Sequence, residues 1–306
     1  MDQPFDLQII CSTPGDVARA TRGGATRIEI SGCYTAGGVT PSPGIIRHCI
    51  KSTDLPVTVA MRPREGHLVY TASEREIILE DAEWSLAEGA ATVLIGGLDG
   101  HLNFDFDLIE TAIERFGGQH VMVNRAIDSV RKPEQAFERL KTLPIHALAS
   151  SAGAGNAIKG HEKLVGWQAE ADFDIFASGA VLPSGAARMW TAGLSCFRAS
   201  ARHSAGVAHE GRWFEGELYP VDARRVEHIV RSLKKAVTAE SEEDQDRVWL
   251  PAQTTQCSRP VTEISSPAPQ RHDRAPRVPA ALPRPPELNN GPTSSLQSLC
   301  LPSRQH

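Results

Sequence analysis

The sequence predicts a closed (β/α)₈ barrel of the TIM type followed by a disordered, proline-rich tail. Three observations support this prediction. Eight short apolar runs recur within the first ~230 residues, helix-like stretches separate them, and 11 of the 21 prolines lie between residues 251 and 306. Strands that alternate with helices favour parallel pairing with right-handed crossovers. An open doubly wound sheet is the alternative, but no G-x-G-x-x-G follows the first strand.

The predicted strands are runs rich in valine, isoleucine and alanine, as expected of strands buried on both faces. They are Leu7–Cys11, Thr26–Ser31, Val57–Met61, Ala91–Ile95, His120–Val123, Ala147–Ala149, Asp174–Ala177 and Cys196–Ala199. Predicted helices lie between them, and several end at a glycine, which favours the left-handed backbone of a helix terminus. They are Asp16–Arg22, Glu74–Glu88, Phe106–Phe116, Pro133–Leu143, Pro183–Thr191 and Val221–Val237.

Composition excludes several classes of protein. The chain has 306 residues and a net charge of -5, so it lacks the basic surface of a nucleic-acid-binding protein. No apolar run is long enough to span a membrane, and the amino terminus lacks the pattern of a secretory signal. The six cysteines are far apart, with no CxxC pair. We therefore expect a soluble protein of the cytoplasm, with reduced cysteines.

Two regions of unlike composition divide the chain. Residues 1–237 carry all the predicted strands and helices, whereas residues 238–306 are first acidic and then rich in proline. Such a segment has too little apolar surface to offset the entropy lost on ordering, so we predict that it is disordered. Proline-rich stretches can dock on a partner domain, although a passive tail is the more frequent case.

Polar side chains follow four of the predicted strands. They are Arg62 and Arg64 after the third strand, Asn124, Arg125 and Asp128 after the fifth, Ser150 and Ser151 after the sixth, and Arg198, Ser200 and Arg202 after the eighth. Because the carboxyl ends of the strands meet at one end of a barrel, we expect these side chains to converge there. Arginines repel one another unless anions neutralise them, so the pattern predicts a pocket for a small carboxylate or phosphate ligand.

Glu29, late in the second predicted strand, is the candidate catalytic residue. A carboxylate among arginines stays ionised, which suits an orienting or proton-accepting group better than a general acid. The alternative is a structural network of ion pairs that holds the barrel mouth together.

The motifs and their order resemble those of the CutC copper-homeostasis family over residues 6–202. The stretches GGATRIEI (23–30), GGVTPS (37–42), MRPREG (61–66), NRAID (124–128) and FRASAR (197–202) are similar to that family's "GGADRIEL", "GGLTPS", "IRPRGG", "HRAFD" and "FHASAR". The resemblance implies a (β/α)₈ barrel that assembles into homo-oligomers, a role in copper homeostasis and copper ion binding.

This chain departs from the family pattern at the positions that would bind copper. The two family cysteines correspond to Ile10 and Ser31, and the family histidines correspond to Asn124 and Arg198. Cys11 and Cys33 are the candidate metal ligands that remain, since soft thiolates suit Cu(I). Cys11 is one residue beyond the family position at Ile10, and a shift of one residue along a strand reverses the face on which a side chain lies. This argues against Cys11 as a copper ligand. Three hypotheses stay open: a copper-homeostasis protein with an anion pocket, an enzyme acting on a small anion, and a non-catalytic scaffold.

Overall fold

Eight parallel strands form a closed barrel in which each strand pairs with the next and β8 pairs with β1. The structure is a computed structural model that describes residues 4–205 and 218–248, with side chains described to residue 239. The strands are β1 (Asp6–Cys11), β2 (Arg27–Ile30), β3 (Val57–Ala60), β4 (Thr92–Ile95), β5 (Val121–Val123), β6 (Ala147–Ser150), β7 (Asp174–Ser178) and β8 (Cys196–Ala199).

In the described part of the chain, eight α-helices cover the outside of the barrel. They are α1 (Pro14–Arg22), α2 (Pro43–Ile50), α3 (Ala72–Ala87), α4 (Phe106–Phe116), α5 (Pro133–Leu140), α6 (Ala157–Glu170), α7 (Pro183–Thr191) and α8 (Ala223–Val248). The fold predicted from the sequence is confirmed, with all eight strands in their expected places. Helices α2 and α6 were not predicted: α2 is short and begins Pro43-Gly44, and α6 contains Gly160 and Gly166, which weaken a helical pattern.

Two separate apolar layers follow from the alternation of side chains along each strand. The larger layer fills the space between strands and helices, and Leu7, Ile28 and Phe197 in it are fully buried. The smaller layer lies in the barrel interior and contains Met122 and Phe176. Polar side chains on β1, β2, β3, β4, β7 and β8 occupy other interior positions, so the barrel interior divides into an apolar and a polar part.

The loops at the carboxyl ends of the strands need unusual backbone conformations. Gly37 and Gly38 after β2 have φ angles of 82° and 91°. A Cβ at Gly38 would lie 2.3 Å from the Oγ of Ser31, and one at Gly37 would lie 3.2 Å from a guanidinium nitrogen of Arg62. Glycine is therefore required here both for backbone conformation and for the close approach of neighbouring groups.

Helix α8 continues to Val248 and so includes the acidic residues with which the predicted tail begins. Residues 238–248 of the predicted disordered tail are thus helical, and the remainder of that tail, residues 249–306, lies outside the described residues. Among the helices of the described part of the chain, none is both long and apolar enough to cross a membrane.

Candidate functional site

A chain of hydrogen-bonded polar side chains crosses the barrel interior. Its members come from β4, β3, β1, β2, β8 and β7 in turn: Thr92, Thr58, Gln8, Glu29, Arg198 and Ser178. Every one of them except Arg198 is fully or almost fully buried. Buried polar groups are costly unless they are paired, and here each one has a partner. This chain fixes the position of Arg198 at the carboxyl end of the barrel.

Within this series of hydrogen-bonded side chains, Glu29 and Arg198 form a bidentate ion pair. The Nε and Nη2 atoms of Arg198 each donate to one carboxylate oxygen of Glu29 at 2.5 Å. Gln8 donates a further hydrogen bond to Glu29 at 2.9 Å, and Arg198 Nη1 donates to Ser178 Oγ at 3.0 Å. Glu29 has no exposed surface, so its charge is neutralised by Arg198 rather than by solvent.

A second carboxylate, Asp128, organises the loops after β5 and β6. It accepts hydrogen bonds from Arg125 Nε at 2.7 Å, from Ser150 Oγ at 2.6 Å and from the Ser151 hydroxyl at 3.0 Å. The backbone N–H groups of Ser151 and Gly153 also donate to it, each at 3.1 Å. Arg125 in turn donates to Ser151 Oγ at 2.8 Å. These bonds fix the Arg125 guanidinium group, and they leave its Nη1 atom without a partner in the described residues.

Arg62 differs from the other two arginines because it pairs with backbone carbonyl groups and not with a carboxylate. Its Nη1 donates to Ala36 O at 2.9 Å and to Gly38 O at 2.8 Å, and its Nη2 donates to Gly66 O at 2.6 Å. Its Nε is buried and makes no hydrogen bond within the described residues. The guanidinium charge of Arg62 is therefore fixed in place but not neutralised by an ion pair.

Arg62, Arg125 and Arg198 line one cavity at the carboxyl end of the barrel, with a volume of about 600 Å³. We call it the central cavity. Glu29, Asn124 and Asp128 also line it, and its apolar wall consists of Ala60, Met61, Leu68, Leu94 and Leu98. The structure thus brings together side chains from β2, β3, β5 and β8, and the cavity combines three cations with two carboxylates that each pair with one of them.

Several residues predicted from the sequence lie outside the central cavity. Arg64 pairs with Glu74 at 2.5 Å and lies over the ring of Tyr70. Burial raises the pKa of Tyr70, and the two neighbouring arginines partly offset that rise. Ser150 and Ser151 are fully buried against Asp128, so they orient that carboxylate and do not line the cavity.

Arg202 lies beyond the end of β8, next to β1 and α1. There it contacts Asp16 at 3.3 Å and donates to Ile10 O at 3.0 Å. Burial alone would raise the pKa of Asp16. Hydrogen bonds from the backbone of Val221 and Ser12 and from Arg19 lower it below its ordinary value. Asp16 is therefore a stably ionised partner for the almost completely buried Arg202.

A second cavity, of about 510 Å³, lies between the loops after β7 and β8 and helix α8. We call it the β7–β8 cavity. It is lined by four arginines, Arg125, Arg198, Arg202 and Arg225, together with Ser200 and His228. Sequence reasoning missed Arg225, since it follows no strand. It also missed Thr58 and Thr92, although polar residues at alternate positions of apolar strands were a signal that could have identified them.

The two candidate copper ligands lie in different environments. Cys11 is buried in the apolar layer between strands and helices, and burial raises the pKa of its thiol well above the ordinary value. Cys33 is exposed on the loop after β2, in a left-handed backbone conformation with a φ angle of 43°. Within the described residues, no group of three or more histidine, cysteine, aspartate or glutamate side chains could hold a metal ion. These residues do not fit a copper centre, and copper binding stays a prediction from resemblance.

Comparison with known proteins identifies related sequences. A family model described as "CutC family" matches residues 5–202. A family protein CutC from Xanthomonas campestris is 29% identical over 238 residues, which are 75% of this chain and 99% of that protein. One from Agrobacterium fabrum is 32% identical over 161 residues, which are 53% of this chain but only 64% of that protein.

A solved structure from Streptococcus agalactiae, described as a CutC copper homeostasis protein, has a similar fold. Its TM-score is 0.58 at 20% sequence identity, and the match covers 63% of this chain and 97% of that one. At this level of identity, the likeness supports the barrel fold.

Proposed function

The chain belongs to the CutC family, and we propose that it binds a small anionic molecule, a carboxylate or a phosphate, in the central cavity. The family name links it to copper homeostasis. The anion proposal comes from the geometry at the carboxyl end of the barrel, which is where barrels of this fold bind their ligands.

One observation carries the proposal: three arginines from three different strands line one cavity, and the two carboxylates there neutralise only two of them. Arg62 is the cation in excess. A guanidinium group that is partly buried and lacks a carboxylate partner favours an anion beside it, because a charge in a site of low dielectric is costly when unpaired. The apolar wall formed by Leu68, Leu94 and Leu98 limits the ligand to a small molecule.

Glu29 acts in this proposal as an orienting group. Both of its oxygens accept from Arg198, and Gln8 donates to one of them as well, so proton transfer would require breaking a bidentate ion pair. The pair instead presents the remaining N–H groups of Arg198 to the cavity. An enzyme that uses Glu29 as a proton acceptor is therefore less well supported than a binding site.

The proposal is tested by measuring the affinity of the purified protein for glycolate and inorganic phosphate by calorimetry. We expect Arg62→Ala to weaken the binding of glycolate about tenfold or more, the effect of losing one charge-assisted contact. Since Arg62 also holds two loops together, a second variant is needed. His67→Glu adds a carboxylate at an exposed position of the cavity wall and should weaken binding without disturbing the loop carbonyls.

Arg115→Ala is the matched control, because Arg115 pairs with Glu76 on the outer helices and does not line the central cavity. Its affinity for glycolate should equal that of the unmodified protein. Equal affinity in all three variants would overturn the proposal, and so would a protein that binds neither glycolate nor phosphate.

Copper binding is tested separately through the thiols. Because Cys11 is buried and Cys33 is exposed, we expect an alkylating reagent to label Cys33 in the folded protein and Cys11 only after unfolding. Reduced protein loaded with Cu(I) should give the same labelling of Cys33, as judged by mass spectrometry of the peptides. Protection of Cys33 by Cu(I) that disappears in Cys11→Ser would show instead that the two thiols share a metal ion.

A further inference from the structure

The β7–β8 cavity carries more guanidinium groups than the central cavity and, within its described lining, no carboxylate. We propose that it is a phosphate subsite, and that the ligand of the protein is a small phosphorylated carboxylic acid whose carboxylate lies in the central cavity. This inference rests on the proposed function for the carboxylate end only. The two cavities share Arg125 and Arg198 in their walls and are therefore neighbours, and the proposal places one molecule across both.

The arginines of this cavity still have hydrogen-bond donors available. Arg198 uses Nε, Nη2 and one N–H of Nη1 for Glu29 and Ser178, and Arg125 uses Nε and Nη2 for Asp128 and Ser151. A guanidinium group has five N–H donors, so both retain free ones. Arg225 makes no hydrogen bond or ion pair in the described part of the chain, and all its donors are available to a ligand.

The carboxylates that pair with these arginines do not line the β7–β8 cavity. Glu29 pairs with Arg198, Asp128 with Arg125 and Asp16 with Arg202, and each is placed behind the guanidinium group it contacts, outside the cavity lining. The carboxylates thus fix three cations, while Arg225 on α8 adds a fourth that is not neutralised. One positive charge is therefore left in excess, and the N–H donors that several guanidinium groups retain suit the three acceptor oxygens of a phosphate monoester better than the two of a carboxylate.

The backbone around the cavity is also suited to a phosphate. Helix α7 begins at its edge, and Leu182, at the N-cap position, provides no side-chain acceptor for the first N–H groups of the helix. Gly179, at the end of β7, has a φ angle of 99°, and a Cβ there would lie 3.0 Å from Nη1 of Arg125. Glycine at this position keeps a free guanidinium N–H group accessible.

Calorimetry with three probes tests the inference: glycolate, phosphoglycolate and inorganic phosphate. Arg225→Ala should weaken the binding of inorganic phosphate and phosphoglycolate about tenfold or more and leave glycolate unchanged. Arg62→Ala should weaken glycolate and phosphoglycolate and leave inorganic phosphate unchanged. Arg224→Ala is the matched control, because this neighbour is also exposed on α8 but does not line the β7–β8 cavity.

The possible outcomes separate the two proposals. If inorganic phosphate responds to Arg62→Ala and not to Arg225→Ala, the phosphate lies in the central cavity; the subsite is then wrong and the proposed function stands. If Arg224→Ala weakens phosphate binding as much as Arg225→Ala does, Arg225 contributes only through the overall positive charge of α8, and the subsite is overturned. If phosphoglycolate binds no more tightly than glycolate, the phosphate adds nothing and the inference fails.

Discussion

The central cavity and the β7–β8 cavity share two arginines but differ in how their charges are balanced. In the central cavity, Glu29 and Asp128 line the same wall as the arginines they neutralise. The β7–β8 cavity is lined by guanidinium groups, and the carboxylates that pair with three of them, Glu29, Asp128 and Asp16, are not part of its lining. Arginines in neighbouring cavities therefore have different roles: some hold the barrel together and others remain available for a ligand.

The comparison also explains why arginine rather than lysine lies between the cavities. Arg198 and Arg125 each use part of a planar fork for a carboxylate and keep the remainder for another partner. An ammonium group cannot make two directed contacts of this kind while keeping a fixed orientation. Three predictions test this division of roles, in order of decreasing effect on stability.

Arg198→Leu is expected to give the largest loss of stability. It leaves the fully buried carboxylate of Glu29 without its cation, and breaking a buried pair in this way costs about 3–5 kcal/mol. Urea unfolding followed by circular dichroism measures the free energy of unfolding. The double variant Glu29→Gln/Arg198→Leu should lose less than the sum of the two single losses. A loss below about 1 kcal/mol would show instead that this pair contributes no more to stability than an ordinary surface ion pair.

Asp16→Asn is expected to give an intermediate effect, at the Arg202 side of the β7–β8 cavity. Loss of the carboxylate weakens its bonds to Arg19 and Arg202, with a cost of about 1–3 kcal/mol at neutral pH. Since the pKa of Asp16 is lowered in the folded protein, its contribution is complete above the unfolded pKa and is lost as the pH falls towards the folded pKa.

The free energies of unfolding of the unmodified protein and Asp16→Asn should therefore converge as the pH is lowered through about 4 and below. A constant difference across that range would show that the hydrogen-bonding geometry of Asp16, and not its charge, supports Arg202.

Gly179→Ala is expected to have the smallest effect on stability, about 1–2 kcal/mol from the left-handed backbone. Its Cβ would also press on Arg125, which lines both cavities, so the binding of phosphoglycolate should weaken. Gly193→Ala is the matched control, with a φ angle of 104° and no atom within 4 Å of the added Cβ. It should lose similar stability and keep full affinity. Equal affinity in both variants would show that Arg125 is not held by Gly179.

The barrel could be predicted from the sequence because each strand is a short, largely apolar run and several of the helices between strands end at a glycine. The convergence of Arg62, Arg125 and Arg198 followed from parallel topology alone, since strand ends meet at one end of the barrel. The partners of each arginine could not be predicted. Ser150 and Ser151 were expected to face a ligand, but the loop after β5 folds back and places Asp128 against both of them.

Helix α8 shows a second limit of the sequence. Arg225 reaches the β7–β8 cavity only because α8 packs against α7 and α1 after the strands are complete, and no local pattern indicates that placement. Arg64 shows the opposite case. Its position two residues after Arg62 predicts that it lines the same cavity, but it pairs with Glu74 and lies outside the central cavity. Side-chain destinations of this kind depend on tertiary partners and not on the strand that carries the residue.

A crystal structure of the protein soaked in phosphoglycolate tests the central claim most directly. Our account predicts density for the ligand at the carboxyl end of the barrel, with its carboxylate within hydrogen-bonding distance of Arg62 and its phosphate next to Arg225. A ligand found only on the outer surface, with both cavities holding water alone at saturating concentration, would contradict it.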